Sequence, residues 1–173
     1  KTIKTTTEEE KAMYAKFVEE ISKVTGADVK ALQAEVAKLN SEITNNNAKL
    51  TKLKGTIEVL KNEVAKAVEE AITESEEIKE EQKKDAANIV KEELDEYANS
   101  EGKITADEFK TNIKTRLDAL EGDGSGKLSA VVAKLMRAEN QMNVLEGSVK
   151  QFGVLVDANK NLICDQCNFT YYI

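Results

Sequence analysis

The stretch VKALQAEVAKLNSEITNNNAKLTKLKGTIEVLKNEVAKAVEEA, residues 29–71, decides the reading of the fold. Stepping alternately by three and four residues through it visits Val29, Leu32, Val36, Leu39, Ile43, Asn46, Leu50, Leu53, Ile57, Leu60, Val64, Ala67 and Ala71. Twelve of these thirteen positions are apolar. An α-helix turns about every 3.6 residues and drifts off a repeat of about 3.5, so a helix that keeps to such a repeat supercoils left-handedly about a partner. The spacing predicts a coiled coil whose function lies in shape and assembly. The first core series is mostly Val and Ile and the second mostly Leu, which favours two parallel strands; other mixtures shift toward three. Asn46 interrupts the seam. It reads either as a tolerated polar defect beside Asn45 and Asn47, or as a register device, since a buried amide is satisfied only opposite another polar group.

C-terminal to this seam, residues 69–81 hold seven Glu and one Lys, the pattern of a solvated helix face. A new stripe follows at Ala86, Val90, Leu94 and Tyr97 and is expected to stop near Asn99–Gly102. Thr105 and Glu108 have capping-box spacing ahead of an apolar face of Phe109, Ile113, Leu117 and Leu120. Gly122-Asp123-Gly124-Ser125-Gly126 is the strongest break in the chain. A second heptad seam then runs through Leu128, Val131, Leu135, Ala138, Met142, Leu145, Val149 and Phe152, with Gly153 placed as a helix C-cap. Val154–Val156 and Leu162–Cys164 flank the polar run Asp157–Asn161 and predict a β-hairpin, with Phe169–Ile173 as a third strand.

N-terminal to the seam, residues 1–7 are Thr-rich and expected to form an extended arm. Residues 8–24 predict a short helix with Tyr14, Phe17, Ile21 and Val24 at helical spacing. The grid slips at Thr25–Asp28, which again has capping-box spacing. The expected organisation is an arm and short helix (1–28), a long coiled-coil shaft (29–98), a helix with a Gly-rich break (99–126), a second coiled coil (127–153) and a β-hairpin cap (154–173). The fold class is mainly α: a segmented, parallel, homo-oligomeric coiled coil with a small β-rich C-terminal cap.

Composition narrows the function classes. The chain has 173 residues, 5% aromatic and 33% charged, with no Trp and no Pro. Its mean hydropathy is -0.48. A net charge of -7 disfavours non-specific binding to nucleic acid or to an anionic membrane, which needs a basic face. No apolar run approaches membrane length. The chain opens on Lys1 rather than Met, which leaves room for a removed leader. His is absent, and with it the commonest general base and metal ligand. We therefore expect no enzyme and no cofactor.

Three constellations have residue types that can carry chemistry. Cys164-Asp165-Gln166-Cys167 is the only CxxC. It supplies two thiolates, half of a tetrahedral zinc site that two chains would have to share, and it lacks the strand-to-helix setting of a redox motif; ordinary cysteines are the plainer reading. Residues 97–108 and 121–132 each resemble a calcium loop with one charged end missing, Tyr97 in the first and Val132 in the second, and also fit capped interhelical turns. Asn168-Phe169-Thr170 is a glycosylation sequon, relevant only in a secretory pathway.

The layout of a polar arm, an interrupted heptad shaft and a small β-rich end resembles the fibre and fibritin-type proteins of bacteriophage virions. The 29–71 seam with Asn46, the Gly122–Gly126 break, the 128–152 seam and the 154–164 hairpin carry the likeness. The resemblance implies a structural fibre or neck component of a virion, a parallel homotrimer with a dimer as the alternative, connecting to other virion proteins and binding neither nucleic acid nor membrane. The competing expectation is a cytoplasmic coiled-coil scaffold whose Cys164/Cys167 end binds zinc or a partner. A degenerate calcium-responsive protein is a third.

Overall fold

The computed structural model describes residues 8–22 and 26–172. The expected arm at 1–7, the Thr25 end of the Thr25–Asp28 cap and the terminal Ile173 lie outside the described residues. Within them the chain forms α1 (Glu8–Ser22), α2 (Gly26–Glu74), α3 (Glu80–Ala98), α4 (Ala106–Glu121), α5 (Lys127–Ala138) and α6 (Asn140–Tyr172), with no strand. The helices divide between two compact units, one of Lys1–Thr44 with Asn161–Ile173 and one of Asn45–Lys160.

The Asn45–Lys160 unit is a helical bundle with a continuous apolar core. Ile57, Val64, Val68 and Ile72 of α2 pack with Ala86, Val90 and Leu94 of α3. Phe109, Ile113 and Leu117 of α4, Leu128, Val132 and Met136 of α5, and Met142, Leu145 and Val149 of α6 complete the same cluster. Tyr97 stacks on Phe109 with ring centroids 4.5 Å apart. Asn47 bonds Asn159, while Ile57 and Glu58 share a small cleft with Phe152, so α6 runs antiparallel to α2 in this unit.

Local chemistry sets the helix ends. Ser75 Oγ accepts from Glu77 N (3.2 Å) as α2 gives way to a short link. Lys83 Nζ reaches back to the carbonyl of Thr73 (2.8 Å), a cation on one of the unbonded carbonyls that end a helix. The Thr105–Glu108 capping box forms as its spacing predicts: Glu108 N donates to Thr105 Oγ1 (3.1 Å) and Thr105 N to Glu108 Oε2 (2.8 Å). Gly122 ends α4 at φ +77°, a conformation open to glycine. Gly126 at the start of α5 has no side chain to cap with, and the Glu121 carboxylate takes that place, accepting from the backbone N–H groups of Lys127 and Leu128.

The fold corrects the expected segmented parallel coiled coil with a β-rich cap. The helices of residues 45–160 pack as a bundle, and residues 154–164 and 169–172, read as strands, belong to α6. The β-branched residues Val154, Val156 and Ile163 favoured the strand reading, and the polar run Asp157–Asn161 looked like a turn. Residues 154–172 contain neither Pro nor Gly, so nothing in the backbone chemistry stops the helix. Phe152, Val156, Asn159, Leu162, Gln166 and Phe169, at steps of three or four, are covered or half-covered, with Gly153, Leu155 and Ala158 half-covered beside them. Asn159 and Gln166 stand where apolar residues were sought, and this hid the helical period. Gly153 is no C-cap but an interior residue of α6.

The heptad grid is also left behind inside the bundle. Beyond Ile57 the buried positions of α2 are Lys61, Val64, Val68 and Ile72, with Ala67 and Ala71 only half-buried. Ile57 to Val68 and Lys61 to Ile72 are spacings of 11, the period of a nearly straight helix rather than a left-handed supercoil. A helix surrounded by several neighbours buries a wide stripe, which a strict heptad seam does not describe. The 128–152 seam is broken where Glu139 turns extended (φ -84°, ψ 115°). α5 buries Leu128, Val132 and Met136, while Val131 and Leu135 are half-buried.

Candidate functional site

Two surfaces stand out, and the first collects most of the residues singled out by sequence. The first is the seam. Val29, Leu32, Val36 and Ile43 are half-buried and Leu39 is buried in the Lys1–Thr44 unit, where Gln166 Nε2 donates to Asn40 Oδ1 (2.6 Å). In the other unit Asn46, Leu50, Leu53 and Leu60 are half-buried, and Ile57 and Val64 are core residues. Met142, Leu145 and Val149 are buried in that core and Phe152 packs against it. The amide that crosses to the facing helix comes from Asn47, the neighbour of Asn46. Asn159 Nδ2 donates to Asn47 Oδ1 (2.8 Å), while the buried Asn159 Oδ1 has no partner. Cys164 and Cys167 are exposed, free thiols one turn apart on α6. No group of three or more His, Cys, Asp or Glu is arranged to hold a metal among the described residues.

The second surface is a groove of about 410 Å³ bounded by α4, α5 and α6. Ile113, Met136 and Met142 form its apolar floor, and Ala130 and Ala133, exposed on α5, leave it open because their side chains stop at Cβ. Lys110, Lys114 and Arg137 stand around the rim. Lys110 Nζ is 3.2 Å from Glu146 and Lys114 pairs with Asp118, while Arg137 has no ion pair among the described residues. The hydrogen bonds of Asp118 with Lys114 and then Ser129 hold its carboxyl below the usual value. α5 carries Lys127, Lys134 and Arg137 and no acidic residue.

The calcium-like windows are occupied by their own backbone chemistry. Tyr97 is buried in its stack, and burial first, then the nearby Glu146 charge, push its phenol up to about 12. Asp123 accepts from Ser125 N (2.9 Å); that bond, then the Ser125 hydroxyl and Glu121, bring its carboxyl down to about 2. Glu121 also accepts from the Ser125 hydroxyl, and Glu108 is held in its capping box. Of these side chains, Glu108 caps α4 and Glu121 caps α5.

A second close contact has no side chain at all. Gly102, at φ +80° in the α3–α4 loop, lies against Gly153 of α6, so that a Cβ on Gly102 would sit 2.6 Å from the Gly153 Cα. Glu101 beside it also has positive φ (56°).

The groove was not read from sequence. Its signals were two alanines three apart on the otherwise strongly amphipathic α5 and the one-signed charge of that helix; both are visible in residues 127–138 but have no meaning until α4 and α6 are placed beside them. No family model, curated protein or solved structure matches the chain.

Proposed function

We propose that the chain is a non-enzymatic structural protein that assembles with copies of itself and acts as a helical connector, of the fibre or neck kind found in virions, in contact with other virion proteins. The observation that carries the reading is the half-covered seam. Val29, Leu32, Val36 and Ile43 in one unit, and Leu50 and Leu53 in the other, keep part of their apolar surface in water within a single chain. Covering such stripes with further helices removes that area from water at roughly 25 cal/mol per Å². A homotrimer is the expected assembly and a dimer the alternative. The virion setting rests on the layout of long heptad helices with interruptions, now without a β cap. No helix among the described residues is long and apolar enough to cross a membrane.

Sedimentation of the full chain over a range of micromolar concentrations tests the assembly. Two or three chains per particle support it, and a monomer throughout overturns it. The exposed pair Cys164 and Cys167 favours a second reading, a cytoplasmic scaffold whose cysteine end binds zinc or a partner. Stoichiometric zinc uptake by the full chain, lost in Cys164→Ser, would favour that reading over the first.

A further inference from the structure

We propose that α1 of one copy docks in the α4–α5–α6 groove of a second copy, so that copies join through two different surfaces. The inference rests on the reading that the chain self-associates, and it adds where and how. α1 offers the anchors. Met13, Tyr14 and Phe17 are 73%, 69% and 60% exposed, and their spacing puts them within about 100° of one another around the helix. Large apolar side chains in this pattern are what a helix presents to a groove, and aromatic anchors supply most of the energy of such contacts. The groove offers the complement. Its volume of about 410 Å³ lies in the range of roughly 300–1,000 Å³ usual for occupied clefts. Met136 and Met142 on its floor are side chains that adapt to an incoming ring and make favourable sulfur–aromatic contacts.

Charge decides the occupant. α1 contains five glutamates against two lysines, whereas the groove is lined by Lys110, Lys114 and Arg137 against the single carboxylate of Glu146, and Arg137 has no ion pair among the described residues. Complementary charge of this kind steers encounter and fixes orientation more than it adds affinity. Because donor and acceptor are different patches, the contact is heterologous and propagates from copy to copy unless the rotation closes into a ring.

The absence of Trp makes the test direct, since Phe17→Trp introduces a single reporter. Ala133 is exposed, so Ala133→Glu fills the groove and repels α1 without touching the core. A trace of the full-length double variant Phe17→Trp/Ala133→Glu, whose own groove is blocked, is titrated with excess unlabelled protein. The expected result is a saturable blue shift of Trp emission with wild type, none with Ala133→Glu, and an apparent Kd weakened about tenfold with Arg137→Glu. Raising the salt concentration should weaken the wild-type titration. Circular dichroism of each groove variant confirms that the helices are retained. An unshifted emission with wild type, while sedimentation shows the chain associating, overturns the docking and leaves self-association standing. A chain that sediments as a monomer overturns both. Equal shifts with wild type and both groove variants place α1 on some other surface and also overturn the proposal.

Discussion

In the Asn45–Lys160 unit, Val64, Leu94, Leu117 and Leu145 are fully withdrawn from water; in the unit of Lys1–Thr44 and Asn161–Ile173, Leu39 is the one described apolar side chain less than a tenth exposed. Both units draw on α2 and α6, and both segments of α2 carry the same heptad grid. What differs is the number of neighbours. Where α3, α4 and α5 surround the long helices, the buried stripe widens and its period relaxes from seven to eleven. In the other unit the seam positions apart from Leu39 stay half in water. An apolar period in sequence thus predicts that a helix has a covered face, while the width of that face depends on how many elements arrive to cover it.

Core truncations should separate the two units most. Leu94→Ala, at a side chain with no exposure, should cost about 3 kcal/mol in urea unfolding, while Ile43→Ala, at a half-covered seam position, should cost about 1 kcal/mol. If the Ile43→Ala loss grows with protein concentration, the seam is buried between copies, since association stabilises by mass action. Equal losses at both sites in dilute protein would show that the units do not differ in this way.

Alkaline titration probes the bundle through Tyr97. Tyr97 is held neutral, its phenol raised from 10 to about 12 by burial, so its contribution is fully present below pH 10 and is lost as pH rises toward 12. Lys61 acts in the same direction. Burial opposes its charge, but hydrogen bonds to Glu58 and Asp95 hold its pKa above 10.5, and that stability is lost as pH rises further. Wild type should therefore lose roughly 2 kcal/mol between pH 10 and 12 through Tyr97. Tyr97→Phe, which keeps the stacked ring, should flatten that part of the profile. An unchanged slope in Tyr97→Phe would assign the alkaline loss elsewhere.

The facing amides Asn47 and Asn159 should respond least. Asn159→Leu removes a buried carbonyl oxygen without a partner, and Asn47, being exposed, can turn to water. Thermal melting should show a gain of about 1 kcal/mol. A loss instead would mean that the Asn47–Asn159 bond contributes more than the orphaned oxygen costs.

Start and stop signals were legible because they are written in adjacent residues: the Thr105–Glu108 box and the Gly122–Gly126 break need nothing from the rest of the chain. The apolar faces of α3 and α4 were legible for the same reason, their buried sets matching the stripes at Ala86–Tyr97 and Phe109–Leu117. The carboxyl-terminal helix was not. Asn159 and Gln166 become reasonable at seam positions only once Asn47 and Asn40, more than a hundred residues away in sequence, are known to face them. The break at Glu139 was equally hidden, because the heptad grid runs across it without a Gly or Pro. The groove lay beyond reach, since a concavity is made by what neighbouring helices leave unfilled.

The meeting of Gly102 with Gly153 ties two openings into one. Backbone lies on backbone there, so the loop has nothing to close upon unless residues around Gly153 are already wound, and α6 loses its cover at that turn when the loop lifts. Opening of the α3–α4 loop is therefore expected to accompany opening of the middle of α6, and native-state hydrogen exchange should show a common free energy for the amides on both sides; two separate free energies would break the link. A glycine pair that contributes almost no buried side-chain area would then couple two segments more than fifty residues apart in sequence.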